Sequence, residues 1–351
     1  MVAMYLIGTS FLVAPGIRAG KEIWLAYLLG LAVSILLVLM FGRMATYIPG
    51  KDFYEILESL MGRPLTVIVL IVMVIYLFQL NAYVLRHFGG FVNAVGLPEA
   101  PLMVPMLCIG ILSALAVFLG FDVLSRCAVY LLVPITAFIL LCVFMLVQYM
   151  DVDQLLPVLE NGFDPVIKGS WSLLSLPFAE TVAFLFVLPP MRRKGDSYRV
   201  FTVGLIIGYA LVFISTMTDV LVLGVDTVIR MYYPTYSSLA VIQIGEFIQR
   251  LEIAASSIFT VAIFFKASIL LLAIIKCLGR ILKIDEPRIF IMPILGLSVN
   301  YGFISYPGNL AQYTGIRVFW TNYSSIFQIF IPILLFFTLE YKMAKRKKMR
   351  D

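Results

Sequence analysis

Histidine is almost absent from this 351-residue chain, with His87 the only one. That removes the commonest metal ligand and the commonest general base at neutral pH. The four cysteines, Cys108, Cys127, Cys142 and Cys277, lie in or beside apolar runs without CxxC spacing. Neither a metal cluster nor a disulfide framework is indicated, and they read as packed thiols. Charge is scarce too: 13% of residues are Asp, Glu, Lys or Arg, against roughly 25% in an ordinary soluble domain. No nucleophile elbow, phosphate-binding loop or HExxH pattern is present, so no enzymatic constellation or cofactor signature is found. The net charge of +6 is carried by short polar breaks and a basic tail, Lys342–Arg350. With no broader basic patch, a nucleic-acid role is excluded and the tail reads as an anchor on anionic lipid.

What the chain has in abundance is apolar length. Hydrophobic residues make up 62% of it, and the mean hydropathy is +1.02. Runs of about twenty apolar residues mark lipid-spanning helices, and ten are present. They are Met1–Gly20, Ile23–Tyr47, Leu65–Val84, Leu102–Gly120, Val123–Met150, Gly169–Pro190, Phe201–Leu223, Ala254–Lys276, Ile289–Tyr306 and Val318–Tyr341. The apolar start, Met1–Ala14, has no preceding cation, so it reads as the beginning of the first helix and not as a signal peptide. Placing the N-terminus in the cytoplasm gathers Arg43, Lys51, Arg63, Arg126, the Arg192–Lys194 run, Arg199, Lys276 to Arg288 and the tail on the inner side. Fewer cations, among them Arg18, Lys21, Arg86, Lys168, Arg230, Arg250 and Arg317, fall outside. The positive-inside rule therefore puts both termini in the cytoplasm.

Ten spans divide five and five at the polar link Asp151–Lys168, giving repeats 1–150 and 151–351. The first helix of each half is interrupted: Gly8-Thr9-Ser10 followed by Pro15-Gly16 in one, Ser175-Leu-Pro177 in the other. Interruptions at matching positions point to an inverted-repeat transporter with its ligand at the breaks. The expected fold is thus an all-α polytopic bundle with broken helices 1 and 6. Taken singly, each interruption is equally compatible with a packing notch or an ordinary kink. The expected ligand-binding groups are Gly8, Thr9, Ser10, Ser175, Pro177 and Phe178, where breaks free backbone donors and acceptors. Glu180 and Lys266 sit inside the sixth and eighth spans. A charge at bilayer depth costs about 2.5–3.5 kcal/mol or more, so such residues mark a partner, a cavity or an ion path. Lying at similar depth, the two can form either a structural ion pair or an ion- or proton-coupling element.

These segments carry a resemblance. Gly8-Thr9-Ser10-Phe-Leu-Val-Ala-Pro15 is similar to the first-helix signature of the amino acid–polyamine–organocation transporter superfamily, with Ser10 where that signature has a second Gly. Ile48–Gly62, Leu176–Pro189 and Lys266 resemble, more specifically, the spore germination receptor B-subunit family. The resemblance implies an integral subunit of the spore inner membrane that binds a small germinant such as an amino acid. It implies an A-type subunit and a lipoprotein C-type subunit as partners. A stand-alone amino-acid permease is the alternative. In related folds a sodium ion binds between helices one and eight; Lys266 would stand in its place and make the protein independent of sodium. Glu180 would orient the broken helix or carry a proton.

Two flanking segments complete the reading. Asp52–Leu60 repeats apolar residues at Phe53, Ile56, Leu57 and Leu60 with Glu55 and Glu58 opposite, the pattern of a helix lying in the interface. Gly224–Arg250, with Tyr232, Tyr233 and Tyr236, reads as an outer lid or as part of an aromatic interfacial belt.

Overall fold

The computed structural model describes residues 1–160, 162–190, 194–242 and 251–348. Arg192, Arg193, Arg250 and the last three residues of the tail lie outside them, as does 243–250 of the expected lid. Among the described residues every regular element is helical. Eight helices are long and apolar enough to cross a membrane, and the shorter apolar helix Met103–Leu119 and the buried N-terminal helix Val2–Ser10 bring the helical spans to the expected ten. The chain is an integral membrane protein built as a ten-helix bundle with broken helices 1 and 6.

The helices follow the apolar runs. Helix α1 is Val2–Ser10, α2 Ile23–Met44, α3 Phe53–Met61, α4 Arg63–Val95, α5 Met103–Leu119 and α6 Phe121–Leu146. The sixth span divides into α7, Asp164–Ser175, and α8, Phe184–Val187. Then come α9 Lys194–Leu223, α10 Val225–Arg230, α11 Pro234–Ala240, α12 Leu251–Leu282 and α13 Ile291–Ile304. The tenth span is one run of α14 Asn309–Gly315, α15 Thr321–Ser325 and α16 Ile331–Lys348, joined by π-helical turns at Ile316–Trp320 and Ile326–Phe330. Burial separates core helices from lipid-facing ones: 83% of the apolar window of α12 is buried, against 22% for Phe121–Tyr149.

The chain forms two compact units. The first comprises Met1–Ile35, Ser125–Phe178 and Leu205–Lys266. Here all nine residues of α1 are buried, and α7 packs on the 3₁₀ turn Ile17–Glu22. That approach needs small residues: a Cβ on Gly169 would lie 2.6 Å from the Ala19 Cβ. Ser170 Oγ reaches across to donate to the Ala26 carbonyl at 3.0 Å.

The second unit comprises Leu36–Leu124, Ala179–Gly204 and Ala267–Asp351. Its α3 is a helix with the buried apolar face expected from sequence, Phe53, Ile56 and Leu57, and with a capping box between Asp52 and Glu55. Asp52 also pairs with Arg280, at 2.6 Å, so its charge has a partner beyond the cap. Helices α4 and α13 form the most extensive contact of this unit. Arg86, one of the cations counted on sequence, is 2% exposed. Its Nη1 donates to the Gly302 and Phe303 carbonyls at 3.0 and 2.9 Å, and its Nη2 to the Tyr306 carbonyl at 2.8 Å. A helix end leaves its last carbonyls without intrahelical donors, and the guanidinium supplies them to α13 in a fixed fork.

Arg86→Met should therefore lower the stability of the detergent-purified protein by about 3 kcal/mol or more, because charge-assisted bonds contribute about 1.5–3 kcal/mol each. Arg86→Lys should recover only part of the loss. Unfolding of Arg86→Met at the wild-type temperature would contradict this capping role.

Candidate functional site

The first unit contains the break in helix 1 and the start of the break in helix 6. After Ser10 the chain leaves the helix and turns through Ala14 at φ +46° and Gly16 at φ +81°. Gly16 is required twice over, since its φ is left-handed and a Cβ there would lie 2.7 Å from Leu173 Cγ. Released carbonyls on this segment are taken up by side chains: Tyr27 Oη donates to Pro15 at 3.2 Å, and Thr235 Oγ1 to Phe11 at 2.8 Å. Helix α7 ends at Ser175, Leu176 is extended, and the Leu176–Pro177 peptide is cis. The chain then resumes as a 3₁₀ turn, Phe178–Ala183. Both interruptions fall where the sequence placed them.

Lys266 joins α12 to the end of α1. Fully buried at 0% exposure, it donates through Nζ to Thr9 Oγ1 at 2.8 Å. The ammonium also lies 5.1 Å from the Tyr5 ring centroid, a cation–π distance. Gly8 makes the approach possible, because a Cβ there would sit 2.7 Å from Lys266 Cδ and 3.1 Å from Lys266 Cβ. The structure thus brings Gly8, Thr9 and Lys266 together. Tyr5 completes the setting, although on sequence it is one more aromatic in an apolar run.

The other expected site residues are placed as follows. Ser10 and Ser175 are 1% and 0% exposed, and neither hydroxyl has a hydrogen-bond partner among the described residues. Phe178 stacks on Tyr209, with ring centroids 4.3 Å apart and planes at 26°. Tyr209 in turn donates to the Tyr27 carbonyl, so Phe178 rests on the same tyrosine pair that holds the helix-1 break. Glu180 belongs to the second unit, fully buried on the 3₁₀ turn. That unit also has a cavity of about 680 Å³ lined by Asp52, Arg63, Lys276, Arg280 and Lys283 among others. There Lys276 Nζ donates to the Val187 carbonyl at 2.8 Å and so caps α8.

Two spans broken within the membrane, buried hydroxyls at the breaks and a lysine against the first helix define a transporter-type broken-helix bundle. Among solved structures the chain is similar to Mhp1, a nucleobase-cation-symport-1 family transporter in a closed conformation with bromovinylhydantoin bound. The TM-score is 0.65 at 11% identity, covering 93% of this chain and 76% of that one, a likeness of fold. The chain belongs to the spore germination protein family, which matches residues 1–307. Its relatives include spore germination protein KB of Bacillus subtilis (strain 168), 26% identical over 357 residues, with 99% of this chain and 94% of that protein covered. Spore germination protein XB of Bacillus anthracis is 23% identical over 286 residues, 78% of each chain. The resemblance read from the first and sixth helices is borne out, and the protein is a germination-related membrane protein with a transporter fold.

The contact between Gly8 and Lys266 is testable by a double-mutant cycle. Gly8→Ala should destabilise the wild type by about 1–3 kcal/mol, the usual cost of overpacking, against the gain of about 1 kcal/mol that Ala gives in a helix. In a Lys266→Ala background the same change should be neutral or stabilising. Strictly additive effects on unfolding would show that the two residues do not meet.

Proposed function

We propose that this protein is the membrane subunit of a nutrient germinant receptor, binding a small germinant such as an amino acid where helices 1 and 6 are broken. One observation carries the reading: Ser10 and Ser175 are buried at the two breaks with hydroxyls that lack hydrogen-bond partners among the described residues. A buried hydroxyl left unpaired costs about 1–3 kcal/mol, and a polar ligand bridging the breaks would remove that cost. Backbone groups freed beside Pro177 suit the carboxylate or ammonium of an amino acid, and Gly8, Thr9 and Phe178 shape the remainder. The family membership favours sensing over bulk uptake. The receptor would include A-type and lipoprotein C-type subunits and lie in the spore inner membrane with both termini in the cytoplasm, residues 1–150 and 151–351 forming the two inverted repeats.

Lys266, held by Thr9, stands in for the cation that related folds bind between helices one and eight. Glu180 orients the broken sixth helix or carries a proton. The two act together in the response: Glu180→Gln and Lys266→Met should each impair it, and the double variant should express normally yet give no response. A double variant that responds better than either single one would reduce the pair to a structural role.

The direct test is binding of a panel of amino acids to the full-length protein reconstituted with its receptor partners. Saturable binding of at least one, weakened in Ser10→Ala and Ser175→Ala without loss of folded protein, is the expected outcome. Transport of that amino acid by the protein alone into liposomes would favour the permease reading instead.

A further inference from the structure

Asp219, four residues before the end of α9, is 1% exposed and sits among hydroxyls. Thr235 Oγ1 lies 2.5 Å from its Oδ2 and Ser238 Oγ 2.7 Å from its Oδ1. Both hydroxyls come from α11, the short helix of the connection after α9. Thr235 Oγ1 also lies 2.8 Å from the carbonyl oxygen of Phe11, in the helix-1 break. A threonine hydroxyl has one hydrogen to donate, yet here it touches two oxygens that, with an ionised Asp219, can only accept. Ser215 does not remedy this, because its Oγ is 3.4 Å from both Phe11 O and Thr235 Oγ1, and any hydrogen it gives leaves Thr235 with its own single one. With an ionised Asp219, Thr235 is one hydrogen short, while Ser238 Oγ divides its single hydrogen between Oδ1 and the Pro234 carbonyl of its own helix at 3.1 Å.

From this count we propose that Asp219 is a proton-binding site whose occupancy fastens α11 to the break in helix 1. With the proton on Oδ2, Asp219 donates to Thr235 Oγ1, Thr235 donates to Phe11 O, and Ser238 donates to Oδ1. Each of the two short contacts of Thr235 then has a hydrogen. Loss of the proton obliges Thr235 to choose between a carboxylate and a neutral carbonyl. Charge-assisted hydrogen bonds are the stronger, so the carboxylate takes it and the Phe11 carbonyl is released.

Among the described residues no ion pair reaches Asp219, and a buried charge without a partner is costly. The titratable groups packed near it are the Tyr27 phenol from α2, whose hydroxyl meets Thr216 of the same helix as Asp219 at 2.9 Å, and the Cys142 thiol from α6, which lines the small cavity beside the cluster. Residues 234–240 of α11 carry no charge, Tyr236 being the one titratable side chain. The site is separate from the proposed germinant site and does not depend on that reading. It makes the outer connection pH-sensitive at the point where helix 1 is broken.

The test is hydrogen–deuterium exchange of Pro234–Ala240 in the full-length protein in lipid nanodiscs, in sodium-free buffer across pH 5–9 and corrected for intrinsic exchange. Protection should fall roughly tenfold with rising pH through a single titration, the scale of one net hydrogen bond. Asp219→Asn, whose amide keeps a donor in place, should remain protected throughout. A pH-independent profile in the wild type would overturn the proposal, as would the same titration persisting in Asp219→Asn. Protection that follows added sodium or lithium at fixed pH would overturn it in favour of a bound cation. Infrared difference spectra of the wild type need no variant: a protonated-carboxyl band that disappears over the same pH range is expected, and its absence from the difference spectrum sinks the idea.

Discussion

An ammonium group buried at membrane depth has to be held by something, and in this protein it is held by the end of the first helix. Lys266 has no exposed surface. Its charge is met by the Thr9 hydroxyl and the face of Tyr5, and its stem lies against Gly8 at a distance that leaves no room for a Cβ. Each of these depends on where helix 1 stops. Carrying Gly8 and Thr9 in its last turn, α1 presents a notch and an acceptor together, and all nine of its residues are buried.

Stopping a helix inside a bilayer creates a second requirement. The backbone groups it releases must be satisfied by protein, because no water is at hand in the hydrocarbon region. The Pro15 carbonyl takes a hydrogen bond from Tyr27 and the Phe11 carbonyl one from Thr235. Tyr27 is fixed in turn by Thr216 and Tyr209, and Tyr209 carries the Phe178 ring. One polar network therefore supports the break in helix 1 and the entrance to the break in helix 6. Ser10 and Ser175 stand apart from it, buried and unpartnered among the described residues.

Much of this was legible in the sequence, and the remainder was not for a consistent physical reason. Spans could be read because lipid demands long apolar runs; interruptions could be read because Gly and Pro are local signals. The amphipathic helix α3 was legible from its periodicity, whereas the capping box between Asp52 and Glu55 emerged only in the structure. What escaped depends on contacts between residues far apart in the chain. Arg86 counts as one outer cation until α13 is seen ending against it. Asp219, near the end of a span, gives no sign that Thr235 and Ser238 will fold back onto it. An apolar run also does not mark where a helix ends: α4 continues to Val95, past the run Leu65–Val84, with Arg86, Phe88 and Phe91 buried.

The role proposed for the Lys266 ammonium is to occupy the place of a metal cation beside Gly8 and Thr9. The most direct test is equilibrium binding of radioactive sodium to the purified full-length protein in lipid nanodiscs. No saturable sodium binding is predicted for the wild type if the lysine fills that position. Saturable binding there, competed by unlabelled sodium, would contradict the proposed role.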